Sequence, residues 1–312
     1  MIYLDNAATT RPEDCVLEAA DRYLKEQFYN PSALYAEGYN LHLELEEARR
    51  SILSYVADPD EYSLTVTSCG TEADNQAIFC GGRRGNIVTT MGEHAAVFAA
   101  AQEAGRRGVE ARFAPLNQDG SVNEEGLLKL VDEKTSLVSV IHINNETGAI
   151  NDINSLAKKV KAKNPRTLFH SDGVQAYGKL PFRLDGNVDM YSVSAHKIGA
   201  LKGTGALQKR LWQLLDKELF VRISPEEGSP YILSVAAKGV RGETILHMCD
   251  DEGLIIGTGS ACSSNAAKRH SRVMQACGLA PELIDGVLRI SFCTHNTAEE
   301  IEEAAGILNR VV

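Results

Sequence analysis

The sequence predicts an α/β protein, with a large domain built on a mainly parallel sheet and a smaller α+β domain beside it. Three observations point there. In the first two-thirds of the 312 residues, short β-rich runs alternate with amphipathic segments, the pattern of a parallel sheet covered by helices on both faces. From residue 209 onward the alternation gives way to a mixture of helices and strands. The length also exceeds what one core usually spans, so a second lobe and a cleft are expected. The large domain is assigned to residues 16–208 and the small one to 1–15 with 209–312.

Strands are expected at residues 63–67, 86–90, 136–143, 167–171, 188–193 and 204–207, where β-branched and apolar residues cluster between turn signals. Helical periodicity covers 71–79, 94–106, 124–132 and 153–163, and a longer helix over 33–56 follows the start signal Asn30-Pro31-Ser32. In the last third, helices are expected at 209–216 and 297–310 and strands at 231–235 and 288–292. No internal repeat or low-complexity tract interrupts them.

Charge and cysteine usage narrow the function. With 42 acidic against 32 basic side chains, the formal charge of -10 repels phosphate backbones and anionic membranes, so no direct nucleic-acid or membrane partner is expected. The start Met1-Ile2-Tyr3-Leu4-Asp5 has no leader pattern, and no apolar run reaches membrane-spanning length, which predicts a cytoplasmic protein. The seven cysteines, at 15, 69, 80, 249, 262, 277 and 293, form no Cys-x-x-Cys pair. Neither a zinc site nor a disulfide framework is expected, and the ordinary reading of each is a small buried apolar residue. Cys262 is the exception. Its run Gly257-Thr258-Gly259-Ser260-Ala261-Cys262-Ser263-Ser264 is too small and polar for a packed strand, and it reads as a mobile loop carrying a reactive thiol. The Gly257-x-Gly259 pair within it lacks the third glycine of a dinucleotide fingerprint.

Ligands of open α/β sheets sit at the carboxyl ends of the strands, and three such ends carry chemistry. Ser68-Cys69-Gly70-Thr71-Glu72-Ala73 offers backbone N–H groups and a hydroxyl at a helix start, where a phosphate can sit, although a plain tight turn looks the same. His170-Ser171-Asp172-Gly173-Val174-Gln175 leaves a carboxylate that can pair with a heterocyclic nitrogen, or serve as a helix cap. Ser192-Val193-Ser194-Ala195-His196-Lys197 ends in an amine that a cleft would discharge, ready to form a Schiff base. A carboxylate at one strand end and a lysine at the next is the pairing that pyridoxal 5'-phosphate (PLP) requires.

The order of motifs is more specific. Tyr3-Leu4-Asp5-Asn6-Ala7-Ala8-Thr9-Thr10, Asn30-Pro31-Ser32, Thr71-Glu72-Ala73-Asp74-Asn75, Glu93-His94, Asn144-Asn145-Glu146-Thr147-Gly148, His196-Lys197 and the Cys262 run follow one another along nearly the whole chain. Together they resemble the cysteine desulfurases of the NifS and IscS group. The resemblance implies the class V aminotransferase fold, a PLP-dependent transferase of fold type I, aspartate aminotransferase-like. It also implies conversion of L-cysteine to L-alanine, with the sulfur leaving as a persulfide on Cys262. On this resemblance Lys197 forms the internal aldimine and Asp172 pairs with the pyridinium nitrogen. His94 stacks on the ring and shuttles protons, and Gln175 bonds the phenolic oxygen. Gly70, Thr71, Ser194 and His196 contact the phosphate, Asn145 lies near ring and substrate, and Arg289 grips the substrate carboxylate. No metal is implied. The expected partners are a second copy in a homodimer and a sulfur acceptor, such as an iron–sulfur scaffold or a tRNA-thiolation protein.

The pattern also departs from the family. After Gly205-Ala206-Leu207-Gln208 the chain runs straight into Lys209-Arg210-Leu211-Trp212, without the glycine-rich stretch, Arg-Ser-Gly-Thr turn and long helix that the family holds there. The threonine of that turn reaches the neighbouring subunit's phosphate in the family, so weaker cofactor retention is expected. Two other functions compete with the desulfurase reading: a selenocysteine lyase, and a degenerate relative that only binds or regulates.

Overall fold

The computed structural model describes residues 1–198, 204–258 and 271–312. The chain opens with β1 (Ile2–Tyr3), α1 (Asp14–Lys25), α2 (Ala36–Ser54) and α3 (Gly70–Gly81). An alternating stretch follows: β2 (Asn86–Thr90), α4 (Ala95–Arg106), β3 (Glu110–Ala114), α5 (Glu124–Leu130), β4 (Thr135–Ser139), α6 (Ile153–Lys163), β5 (Leu168–Asp172) and β6 (Met190–Ser192). The last third holds α7 (Thr204–Leu214), β7 (Phe220–Arg222), β8 (Ile232–Ala237), α8 (Gly242–Asp251), β9 (Leu254–Ile255), α9 (Arg272–Ala276), α10 (Pro281–Ile284), β10 (Val287–Ser291) and α11 (Ala298–Val311).

The α/β class and the mainly parallel sheet are as expected. Five strands in the order β3-β2-β4-β5-β6 pair in parallel. Such a sheet is buried on both faces, so its strands read as apolar runs rather than as alternations, and all five residues of β2 are buried. One face packs Val138 and Phe169 against Leu156 and Val160 of α6, and the other packs Ile87 and Leu137 against Ile78 of α3 and Val97 of α4. In α6 the inward residues Ile153, Leu156, Ala157 and Val160 recur at helical spacing. A separate core joins Ile2 and Leu4 to Leu211, Phe220, Leu233, Leu288 and Leu308, around the antiparallel sheet β10-β8-β7.

Two expected strands are absent. Residues 204–207 begin α7 instead of forming a strand. The junction sets Leu207 and Leu211 four residues apart, with Leu211 fully buried in the small core, and helical burial prevails over the local β signal. Residues 63–67 form no regular element and pair with no strand among the described residues. They face Met190–Val193 at the β6 edge across a groove that Leu53, Val56 and Tyr177 also line. Conversely, β3 and α8 have no counterpart in the sequence reading. The charged Glu110 and Arg112 mask β3, whose Arg112 is tied to Glu110 and Asp132.

Candidate active site

The carboxyl ends of β5 and β6 converge on the amino end of α3. In the β5–β6 ladder Asp172 stands opposite Ser192. Five residues beyond Ser192, a single 3-10 turn, Ala195–Lys197, delivers Lys197. The cleft so formed is lined by Gly70, Thr71, Asp74, His94, Asn145, Asp172, Gln175, Ser194, His196 and Lys197, with Cys69, Ile141 and Val174 completing the wall. Nine of these residues are the cofactor-site residues expected from the sequence. Asp74 was not among them.

Each polar group is held by its own partners. Asp172 is buried and takes the Val174 N–H at 3.0 Å. Burial raises its pKa, while Lys197 pulls the other way. Asp74 is also buried, and burial followed by the charge of Asp172 raises its pKa as well. Two buried carboxyls this close do not both ionise. The donor atoms of Asp74, His94 and Asp172 lie within 4.8 Å of one another. A protonated ring nitrogen introduced beside Asp172 would favour its ionised form.

His94 caps α4: its Nδ1 accepts the Ala96 N–H at 3.2 Å, which puts the ring proton of the neutral form on Nε2. Burial, then the charges of Lys197, Arg272 and Arg289, push its pKa down to about 4. His94 is therefore neutral at physiological pH. Its preceding neighbour Glu93 is buried and driven up to about 8 by burial, with Thr90 Oγ1 and the Ile141 N–H donating to the same carboxylate oxygen at 2.7 and 3.1 Å. At the other end of the cleft, a Cβ added at Gly70 would lie 3.2 Å from Val174 and 3.3 Å from Ser194. Glycine therefore lets the start of α3 pack closely against these two side chains.

The N-terminal segment stitches the cleft to the small sheet. Ala7 N–H donates to Ser291 Oγ at 2.8 Å, Gln175 Nε2 donates to the Ala7 carbonyl at 2.9 Å, and Thr10 Oγ1 donates to the His196 carbonyl at 2.9 Å. Arg289, on β10, is only 6% exposed, so it is a buried cation and not a surface charge. Its Nη2 pairs with Asp5 at 2.8 Å and its Nη1 donates to the Asn145 carbonyl at 3.2 Å. It does not line the cleft directly, but reaches the backbone of Asn145, which does. Cys262 lies outside the described residues.

These features fit PLP. The α3 start and Ser194 suit its phosphate, Lys197 its aldehyde, Gln175 its phenolic oxygen and Asp172 its ring nitrogen. The buried, unpartnered Oδ1 atoms of Asp74 and Asn145 add polar groups to the cleft wall.

The class-V aminotransferase family profile matches residues 2–214 and 207–303, two stretches that meet where the sequence departs from the family pattern. A protein called cysteine desulfurase IscS, from Dictyoglomus turgidum, is 32% identical over all of this chain and 94% of its own length. The chain belongs to the class-V aminotransferase family, in its NifS/IscS-like group. A cysteine desulfurase of Nostoc sp. is 28% identical across the whole chain and 93% of the relative, over 375 aligned positions for the 312 residues here. The surplus of positions accords with a NifS/IscS-like chain that lacks a segment its relatives hold. A solved structure titled NIFS-LIKE PROTEIN superposes with a TM-score of 0.88 at 29% identity, covering 99% of this chain and 98% of that one.

Proposed function

We propose that the protein is a PLP-dependent cysteine desulfurase that takes sulfur from L-cysteine onto Cys262 and releases L-alanine. The observation that carries this reading is the convergence of Lys197, Asp172, His94 and Gln175 in one cleft with a phosphate cradle at the α3 start. The retained set of groups also disfavours a degenerate, merely binding relative. Residues 16–208 form the PLP-binding domain in this reading, and 1–15 with 209–312 the smaller one.

Bound in the cleft, PLP supplies an electron sink that lets a proton leave the substrate α-carbon and its carbon–sulfur bond break. The protein's own groups do the rest. Lys197 would hold the cofactor through its amine, and the same amine would be the group that takes the α-proton. Asp172 would keep the ring nitrogen protonated, and His94, with its proton on Nε2, would be placed to stack on the ring and pass a proton. Gly70, Thr71, Ser194 and His196 would hold the phosphate. Arg289 exchanges its Asp5 partner for the substrate carboxylate, a match for its planar fork, with Asn145 between the two. The Cys262 thiolate attacks the substrate sulfur, forming one S–S bond as the C–S bond breaks. The electron pair left on carbon takes up a proton to give alanine.

The persulfide is then passed to an acceptor protein, an iron–sulfur scaffold or a tRNA-thiolation protein. A homodimer is supported by the outer face of α1 and of the segment that joins it to α2. Every residue of α1 is outside the core, and Leu24, Phe28 and Leu34 are largely exposed, a density of apolar surface that marks a protein interface. The free thiols of Cys15, Cys69, Cys80, Cys249, Cys277 and Cys293 suit the reducing cytoplasm. Protein reconstituted with PLP should release alanine from L-cysteine in amounts matching the sulfide recovered under reductant. No alanine from a protein that has turned yellow with PLP would refute the reaction assigned here.

A further inference from the structure

Lys179 is 7% exposed, and lysine is almost never buried without a partner. It lies four residues after Gln175, in the stretch beyond β5 where the Ala176 N–H bonds the Gly173 carbonyl at 2.8 Å and the Lys179 N–H bonds the Ala176 carbonyl at 3.0 Å. This helix-like coiling puts the two side chains on one side. Lys179 Nζ donates to Gln175 Oε1 at 2.9 Å, and Gln175 Nε2 donates to the Ala7 carbonyl at 2.9 Å. An ammonium can only donate and a backbone carbonyl can only accept. The two neighbours therefore fix which end of the carboxamide is oxygen, a choice that shape alone leaves open. Its oxygen is occupied by Lys179, and its nitrogen has one hydrogen on Ala7 and a second for an acceptor in the cleft that Gln175 lines.

We propose that Lys179 is a positioning residue: it locks the Gln175 carboxamide so that this side chain meets the cofactor's phenolic oxygen only as a hydrogen-bond donor. The inference rests on the PLP reading of the cleft. Burial, then the charges of Lys197 and Arg289, push the Lys179 ammonium down to about 7, and His196 is a further titratable neighbour that feels its charge. Neutral or charged, the Lys179 nitrogen still donates, and the Ala7 carbonyl still claims a Gln175 N–H, so the amide orientation survives that titration.

A fixed donor favours the anionic phenolic oxygen, which lowers the pH at which the lysine-bound cofactor loses its proton. In Lys179→Met, which keeps the length of the side chain but removes the donor, the midpoint of the pH-dependent change in visible absorbance should rise by about one unit. Gln175→Ala should raise it similarly, and the double variant should show no further rise, because one residue acts through the other. Shifts that add in the double variant would make Lys179 a remote charge rather than a positioning group, and an unmoved midpoint in Lys179→Met would remove its role altogether. If Lys179→Met does not fold, Gln175→Glu decides: its carboxylate still accepts from Lys179 but cannot donate, so the midpoint must rise, and an unchanged value overturns the proposal. Wild-type protein that gains no visible absorbance with PLP would overturn the cofactor reading and this inference together. Coloured protein with additive or absent shifts would overturn this inference alone.

Discussion

At the carboxyl ends of β5 and β6, polar side chains are buried, whereas along α1 and the segment after it apolar side chains stand in water. Asp74, Asp172 and Gln175 are withdrawn from solvent, although burying a polar group is costly unless it finds partners, as Gln175 does in Lys179 and Ala7. Leu24 at 79% and Phe28 at 71% exposure run the opposite way, and each forgoes about 1.5–3 kcal/mol that burial would return. Both arrangements go against the hydrophobic rule, and such departures are the informative ones. The first surface is complementary to a small, polar, partly anionic molecule. The second is complementary to another apolar protein face.

The comparison breaks most easily at Lys197. Lys197→Ala should lose both alanine release and the visible absorbance of the lysine-bound cofactor, read by spectrophotometry and amino-acid analysis, while the apoprotein keeps its secondary structure by circular dichroism. Retained colour would move covalent attachment to another amine. On α1 and the segment after it, Leu24→Glu with Phe28→Glu should weaken self-association about a hundredfold or more, seen as a shift from dimer to monomer in sedimentation. A wild-type protein that sediments as a monomer would instead leave the apolar face unexplained by a second copy.

Smaller effects sharpen the polar side. Arg289→Lys keeps the charge but loses the planar fork, so KM for L-cysteine should rise about tenfold, with a lesser fall in kcat. Unchanged kinetics would return Arg289 to a structural pairing with Asp5. Glu93 supplies a pH test. Its folded pKa of about 8 lies above its ordinary value, so its contribution to stability is complete below that ordinary value and is lost as pH rises toward 8. The melting temperature of Glu93→Gln apoprotein should therefore gain on that of wild type between pH 5 and pH 8, by about 2–4 °C. A gap that stays constant across this range would mean that Glu93 is already ionised in the fold.

Much of the large domain was legible in local pattern. The helix expected at 153–163 is α6 residue for residue, because its buried residues recur at helical spacing, and the strand at 86–90 is β2, a short run buried throughout. Asp172 and Lys197 were legible for a related reason, since strand ends can be read from sequence and strand ends are where this fold class binds ligands. Residues 63–67 and 204–207 misled because their β signal is local while strand formation depends on a neighbour, and here the two segments have no ladder to join. Asp74, Lys179 and the Asp5 partner of Arg289 escaped because their meaning is set at long range. Asp5 and Arg289 stand at opposite ends of the chain yet meet at 2.8 Å, and no spacing rule connects them. Asp74 looks like any acidic residue within a helix until the fold buries it beside Asp172.

The account turns on sulfur moving from L-cysteine to one thiol. Wild-type protein reconstituted with PLP, given L-cysteine in the absence of reductant, and digested for mass spectrometry tests this directly. The peptide containing Cys262 should gain the mass of one sulfur atom, the peptides containing the other six cysteines should not, and Cys262→Ser should still bind PLP but stop releasing alanine. Labelled sulfur on Cys249 or Cys277 in place of Cys262, or undiminished alanine release from Cys262→Ser, would contradict it.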